Sequence, residues 1–387
     1  MEKSKDILQK SLQNIANEQN YDNCQITIKD IASDGDNYTS YLYKVTLQSP
    51  GKKDLKLFAK VAALGQNIRI LTPFFKKEHF FYNTLLRKYK ELEDKNNVPI
   101  AHRLITPYFY GGSEELLKET LILEDLTAKG FTQYDRLKSI NWDYASKSLE
   151  NLAKFHALSI ALSEDDPEYF QNIDILKLKT EYSTVADMIK SAINTTLPVI
   201  REENRAILKK YLESETQKME KNPYDRICRR PVIIHGDHKP SNIMYRIVDG
   251  ELEVITLDFQ LISIGNPIVD ILYVIYLGSD KKFRDQYFKP CLKHYYEELC
   301  KALKRLGVDP EKVYSKEDFD FEVKEILPLG LIQSICALPM VTLDKNEALA
   351  LREDSTLDDL IVKPNALYIE RINDVVDEFI EMGIIRK

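Results

Sequence analysis

Residues 229–246 read RRPVIIHGDHKPSNIMYR: an apolar strand (Val232, Ile233, Ile234) runs into a polar loop and leaves it as a second apolar strand. A plain connection needs only glycine, proline or aspartate to bend the chain. This one also carries His235, Asp237, His238 and Asn242. The next strand, LEVITLDFQ (residues 252–260), ends on Asp258 directly before a turn. An Asp, an Asn and a second Asp on adjacent strand ends can divide two jobs. One carboxylate meets an incoming hydroxyl, while the amide oxygen and the other carboxylate hold magnesium. That is the logic of phosphoryl transfer from ATP. HGD alone reads equally well as a turn with a capping aspartate; HGDxxxxN followed by an apolar strand and DF is the stronger signal. The loop matches HRDxxxxN in kind, with Gly236 in place of arginine and DFQ in place of DFG. Without that arginine, a phosphorylated activation loop has no partner here.

Working outward, such chemistry needs a lysine for the phosphates and a glutamate to orient it. Lys60, mid-strand in LFAKVA, sits among apolar residues where an unpaired ammonium is costly. Glu78 in the following helix is its natural partner, and an edge-strand solubilising lysine is the plainer reading. Neighbouring Lys76 and Lys77 read as solvated surface. The turn SDGDNYTS (33–40) lies where a phosphate-covering loop belongs but has only Gly35. Its backbone around Asn37, with the hydroxyls of Thr39 or Ser40, can cradle phosphate; an ordinary hairpin turn explains it nearly as well. TLILEDL leaves the sheet at Glu124 to Leu126, whose backbone suits an adenine edge. Asp270, early in the helix after Pro267, either braces the catalytic loop or simply caps. His156 reads as a satisfied core histidine, and His235 as support for the loop.

The rest of the chain fits two unequal units. CQITIKDIA, SYLYKVTLQ and KLFAKVA alternate as antiparallel strands. TPFFKKEHFFYNTLLRKYKEL has helical spacing with Thr72 as cap, and two further strands surround LITPYFYGG and ETLILEDL. Beyond them long helical patterns dominate. The expected division is an N-terminal lobe (1–123), a hinge (124–130) and a C-terminal lobe (131–387), an α+β architecture. At 387 residues and 44% hydrophobic composition the chain can bury a real core. A formal charge of -7 argues against nucleic acid. Five scattered cysteines without a CxxC pair indicate neither a disulfide framework nor a thiolate zinc site, and suit a reducing cytosol. The charged N-terminus, with Ile7, Leu8, Leu12 and Ile15 at amphipathic spacing, lacks the apolar run of a signal peptide and is expected to form a helix. Residues 326–343 are the most membrane-like stretch, but Pro328, Pro339, Gln333 and Ser334 break them up, so a buried core helix is expected.

SDGDNYTSYLYKV, FKKEHFFYN, LILEDL, HGDHKPSNIMY and ITLDFQLISIGNPIVDILYVIYL, in this order, resemble the ecdysteroid kinase-like family of insects. That family belongs with choline kinases and aminoglycoside phosphotransferases in the two-lobed protein-kinase-like fold. The resemblance implies ATP- and magnesium-dependent phosphorylation of a small-molecule alcohol, such as an ecdysteroid or a detoxification substrate. It gives Asp237 as catalytic base, Asn242 and Asp258 as metal ligands, and Lys60 with Glu78 as the phosphate-positioning pair. Many relatives carry a bulky apolar or aromatic residue near His238 or Lys239, a departure that touches the acceptor contacts. A choline, ethanolamine or aminoglycoside kinase is the alternative within the class. Outside it stand a metal-dependent hydrolase built on His235, Asp237 and His238, and an idle hormone- or nucleotide-binding protein. For the acceptor, Tyr273, Tyr276, Leu331 and Ile335 are candidates for an apolar wall. No obligate protein partner, nucleic acid or membrane insertion is expected, and the expected location is cytoplasmic.

Overall fold

In the computed structural model, residues 2–31, 40–62, 72–116, 118–178, 182–221, 228–344 and 362–386 are described. Helix α1 (Glu2–Glu18) precedes three strands, β1 (Gln25–Ile31), β2 (Ser40–Gln48) and β3 (Leu55–Ala62). Helix α2 (Thr72–Phe80) runs through a π-helical turn (Phe81–Leu85) into α3 (Leu86–Lys95), and β4 (Phe109–Ser113) and β5 (Thr120–Glu124) come next. The five strands form one antiparallel sheet in the order β1-β2-β3-β5-β4. Alternation sorts its two faces. Tyr43, Val45, Leu57, Ala59 and Val61 turn to one side, where Leu8, Leu12 and Ile15 of α1 cover them in a small core. Phe58 and Lys60 turn to the other side.

After a 3-10 turn (Leu126–Lys129) and the short strand β6 (Thr132–Gln133), helices take over: α4 (Trp142–Asp165), α5 (Pro167–Gln171), α6 (Asp174–Lys177), α7 (Tyr182–Thr196) and α8 (Glu202–Lys221). The HGD segment and its flanks then form β7 (Val232–Ile234), a 3-10 turn (Pro240–Asn242), β8 (Ile243–Val248), β9 (Glu251–Thr256) and β10 (Ser263–Gly265). Helices α9 (Ile268–Gly278), α10 (Lys281–Arg305), α11 (Pro310–Val313), α12 (Lys316–Val341) and α13 (Ala366–Glu381) complete this unit. The whole is a two-lobed α+β kinase-like fold, with a small β-rich lobe set on a large helical one.

Two details depart from the sequence pattern. The apolar face of α2, the π turn and α3 (Phe81, Tyr82, Leu85, Tyr89) belongs to the large core around α4 and α9, not to the core beneath α1. Helix α12 continues through both Pro328 and Pro339, and among the described residues it is the one helix long and apolar enough to cross a membrane; half of its apolar window is buried. Ile326, Leu331, Ile335 and Leu338 pack it into the large core.

Candidate active site

Lys60 points from the middle of β3 into the space between sheet and loop, with only 6% of its surface exposed. Its ammonium lies 2.7 Å from Glu78 Oε2 on α2 and 2.6 Å from Asp258 Oδ1. Burial by itself would strip its proton, but the two carboxylates outweigh that, and Lys60 is held above the ordinary lysine range. Burial likewise lifts the Glu78 carboxyl above its usual range, only partly offset by Lys60 and a backbone N–H from Phe259. Asp258 is desolvated too, yet the charge and hydrogen bond of Lys60 prevail and hold it below the usual carboxylate range. Removing one member of such a buried group leaves an uncompensated charge and costs about 3–5 kcal/mol.

Asp258 adopts a left-handed conformation (φ 65°, ψ 57°), which turns the chain sharply between β9 and a 3-10 turn at Phe259–Leu261. Such a conformation at a non-glycine residue persists only where the surrounding packing holds it, and here Phe259 supplies that packing. The Phe259 ring stacks on Phe81 at 3.5 Å between centroids and 11° between planes, and its edges meet Tyr82, Phe155 and His235. The π turn brings Phe81 and Tyr82, adjacent in sequence, onto the same ring.

The loop between β7 and β8 is held from behind. Buried Asp270 on α9 accepts the N–H groups of His235 (2.6 Å) and Gly236 (2.9 Å) and is 3.1 Å from His156 Nε2. His156 Nδ1 in turn meets the Tyr295 hydroxyl at 2.6 Å, so it is a satisfied core histidine. Asp270 therefore braces the loop as well as opening its helix. His235 donates from Nε2 to the Leu257 carbonyl and accepts the Asp237 N–H at Nδ1. Both ring nitrogens are thereby engaged, which removes the donor set of the hydrolase reading; among the described residues, no group of three His, Cys, Asp or Glu is arranged to hold a metal. Gly236 has φ +82°, and a Cβ there would lie 2.7 Å from the Leu261 carbonyl oxygen, which explains glycine in place of arginine.

Asp237 and Asn242 face each other across the turn. The Asn242 amide donates to the Asp237 carbonyl and to its Oδ2, both at 2.9 Å, and Lys239 reaches the same Oδ2 at 2.7 Å. Because the amide nitrogen is committed, Asn242 keeps its oxygen for a cation. Asn242 and Asp258 both border one cavity of about 320 Å³. Two oxygen donors of this kind, with phosphate oxygens and water to complete the shell, fit magnesium.

Leu42, Phe58, Leu123, Met244 and Leu257 give the cavity apolar walls, and Lys60, Glu78, Asn242 and Asp258 its polar end. Glu124, Asp125 and Leu126 form its rim. There the Glu124 N–H bonds Tyr108, the Asp125 N–H bonds Lys56, and the Asp125 side chain takes the Thr127 N–H and hydroxyl. The Leu126 N–H takes part in none of these bonds. Of the other sequence candidates, Gly35, Asn37 and Thr39 lie outside the described residues. Ser40 opens β2 opposite Ala62 and is not among the residues lining the cavity. Asp237 is not among them either, and is joined to the cavity through Asn242.

Three sequence readings need correction. Lys76 is exposed as expected, but Lys77 is buried, and burial pulls its amine down to about 8. Tyr276, Leu331 and Ile335 are fully buried core residues and line no open wall. His238 is buried as well, its ring set against that of His235. The stacking of Phe259 on Phe81 and the capping role of Asp125 went unread; the aromatic run at 80–82 and the Asp-x-Thr spacing at 125–127 were the available signals.

Comparison with known proteins bears on the same residues. An uncharacterized kinase-like protein of Caenorhabditis elegans is 24% identical over 237 residues, 60% of this chain and 58% of that protein, so the chain spans less than two thirds of the curated relative it matches. Among solved structures, the GDP complex of wild-type aminoglycoside 2'-phosphotransferase-IIIa is similar over 95% of this chain and 97% of that one, at 12% identity and a TM-score of 0.45. Ethanolamine kinase of Plasmodium vivax covers 90% of this chain and 81% of its own at 15% identity and a TM-score of 0.43. A microcompartment-associated aminopropanol kinase covers 97% and 99% at 9% identity and a TM-score of 0.47. These three are similar outlines and no more. The profile of one family matches residues 34–308, a span that takes in Lys60, Glu78, Asp237, Asn242 and Asp258 together: the chain belongs to the ecdysteroid kinase-like family.

Proposed function

We propose that the protein is an ATP- and magnesium-dependent kinase that phosphorylates a hydroxyl of a small molecule. The observation that carries this reading is the Lys60 ammonium shared between Glu78 of the upper helix and Asp258 of the lower lobe, at 2.7 and 2.6 Å. A buried lysine held by carboxylates from both sides of a cleft is the arrangement that fixes the phosphates of a nucleotide. In this reading residues 1–123 and 131–387 are the two lobes, 124–130 is the hinge, and the adenine edge meets the backbone at Glu124 and Leu126. Gly35, Asn37, Thr39 and Ser40 belong to the phosphate-covering turn. Asp237, held by the Asn242 amide, orients the acceptor hydroxyl and accepts its proton. Bound magnesium, on Asn242 and Asp258, would neutralise charge on the transferring phosphate. The transferred group is loosely bonded at the transition state, so positioning by Lys60 and Asp237 contributes more than proton abstraction.

The acceptor we favour is an ecdysteroid or a related xenobiotic alcohol, on the strength of the family alone, in a cytoplasmic setting; choline, ethanolamine and aminoglycosides are the alternatives. The test is ATP-to-ADP turnover with magnesium over a panel of ecdysteroids, other sterols, choline, ethanolamine and phenolic glucosides, with Asp237→Asn as control. Phosphorylated product from one class, lost in the variant, supports the reading. A protein that binds ATP and magnesium but phosphorylates none of the panel either takes an acceptor outside it or is a binder, and one that binds no nucleotide is not a kinase.

A further inference from the structure

Thr120, at the start of β5, makes two contacts that the proposed chemistry leaves unused. Its carbonyl lies 2.6 Å from Nε2 of His79, and its hydroxyl lies 3.2 Å from Ser11 Oγ on α1. A carbonyl only accepts, so Nε2 of His79 carries the proton and donates it. The positions of the two partners give the contact its meaning. His79 follows Glu78 on α2, and Thr120 pairs in register with Val61, which follows Lys60 on β3. The hydrogen bond therefore joins the helix that carries Glu78 to β5, the strand paired with Lys60's β3, one residue along from each member of the pair.

The site is shaped for this ring. His79 is 4% exposed, its ring stands perpendicular to that of Phe109 at 5.6 Å between centroids, and Glu114 lies 3.7 Å from Nδ1. Opposite stands Gly112 on β4, where a Cβ would fall 2.8 Å from His79 Cε1 and 2.0 Å from the Thr120 carbonyl oxygen. Only a glycine leaves room for the imidazole to reach the strand. The tie also bridges a division in the packing. Helix α2 continues into the large core, whereas β3 and the outer face of β5 belong to the small core under α1. Apolar packing thus anchors the two halves of the ion pair in different bodies.

We propose that His79 is a positioning residue: its hydrogen bond to Thr120 sets the approach of α2 to the sheet and so lets Glu78 reach Lys60, with α1 backing the same strand through Ser11. Helix α1 precedes the span that the family profile matches, 34–308. The effect on turnover rests on the kinase reading; the effect on Lys60 does not.

The experiment measures acetylation of the Lys60 amine by a small water-soluble reagent, followed by mass spectrometry on the intact folded chain, alongside ATP turnover. His79→Gln places an amide N–H the same number of bonds from the backbone as Nε2, while His79→Asn and His79→Leu cannot reach. We expect Lys60 to label about tenfold faster in His79→Asn and His79→Leu, with turnover lowered by a similar factor and the acceptor KM unchanged. His79→Gln should stay within about threefold of wild type in both. Urea midpoints identify any variant that is merely unfolded; if His79→Leu does not fold, the Asn and Gln pair decides. Equal Lys60 labelling in folded wild type and His79→Asn would overturn the proposal, as would His79→Gln labelling as fast as His79→Asn. Labelling needs no nucleotide, so it decides the tie even if the wild type turns over no ATP, a result that would sink the kinase reading instead.

Discussion

Replacing His238 with leucine should make the protein more resistant to mild acid, because the imidazole is buried. His238 is 1% exposed, and burial pushes its imidazole down to about 3. In the unfolded chain a histidine takes its proton near the ordinary value of about 6.5. The group's contribution is thus full above pH 6.5 and is lost as pH falls toward 3, because only the unfolded state gains the proton in that window. At pH 7 this costs the folded protein about 0.2 kcal/mol, at pH 5 about 2 kcal/mol, and below the folded value it levels off near 5 kcal/mol. Leucine does not titrate. It also exchanges buried ring nitrogens for methyl groups, a change set against any misfit in shape. That second contribution is the same at both pH values, so the difference of differences isolates the proton. Urea unfolding of wild type and His238→Leu at pH 7 and pH 5 should show the leucine variant gaining about 2 kcal/mol on wild type between the two. Parallel behaviour at both pH values would refute the reasoning, since it would mean that His238 is protonated as easily in the folded loop as in water.

Two other substitutions test the surroundings. Lys77→Met should raise stability at pH 7 by roughly 3 kcal/mol, because the folded amine sits near 8 and its charged form is desolvated; the advantage should fade between pH 8 and 10.5, where the folded lysine is already neutral, as followed by urea midpoints. Gly236→Ala, forced to φ +82° with its Cβ against the Leu261 carbonyl, should cost about 1–3 kcal/mol and lower turnover by displacing Asp237, whereas Gly250→Ala, in an open turn at φ +84°, should cost no more than about 1–2 kcal/mol and leave turnover alone.

The strands and the catalytic loop were legible because their signals are local. Alternation in SYLYKVTLQ and LFAKVA gave β2 and β3 nearly to the residue, and HGDxxxxN with the adjoining LDF put Asp237, Asn242 and Asp258 on one set of strand ends. Lys60 with Glu78 was reachable as well, since a mid-strand lysine demands a partner. What escaped the sequence is what depends on a third dimension. Periodicity marks one buried face per helix, but α2 lies between sheet and lower lobe and buries Phe75, Lys77, Glu78 and His79 on several sides, so Lys77 passes for a solvated residue in the pattern. The π turn leaves no mark in an apolar period that tolerates one extra residue. Tyr276 and Leu331 looked available for an acceptor because a fully apolar helix does not say which of its faces meets a cleft.

The stack of Phe81 on Phe259 has a consequence for how the protein comes apart. It makes the Glu78 helix a lodger of the lower body, so the cooperative units need not follow the division between lobes. In native-state hydrogen exchange the amides of α2 and α3 should open together with α4 and α9, at the free energy of global unfolding. Those of β1 to β3 and α1, enclosing only a small core, should open at a lower free energy as a separate unit. The seam between the units then runs through the Lys60 ammonium.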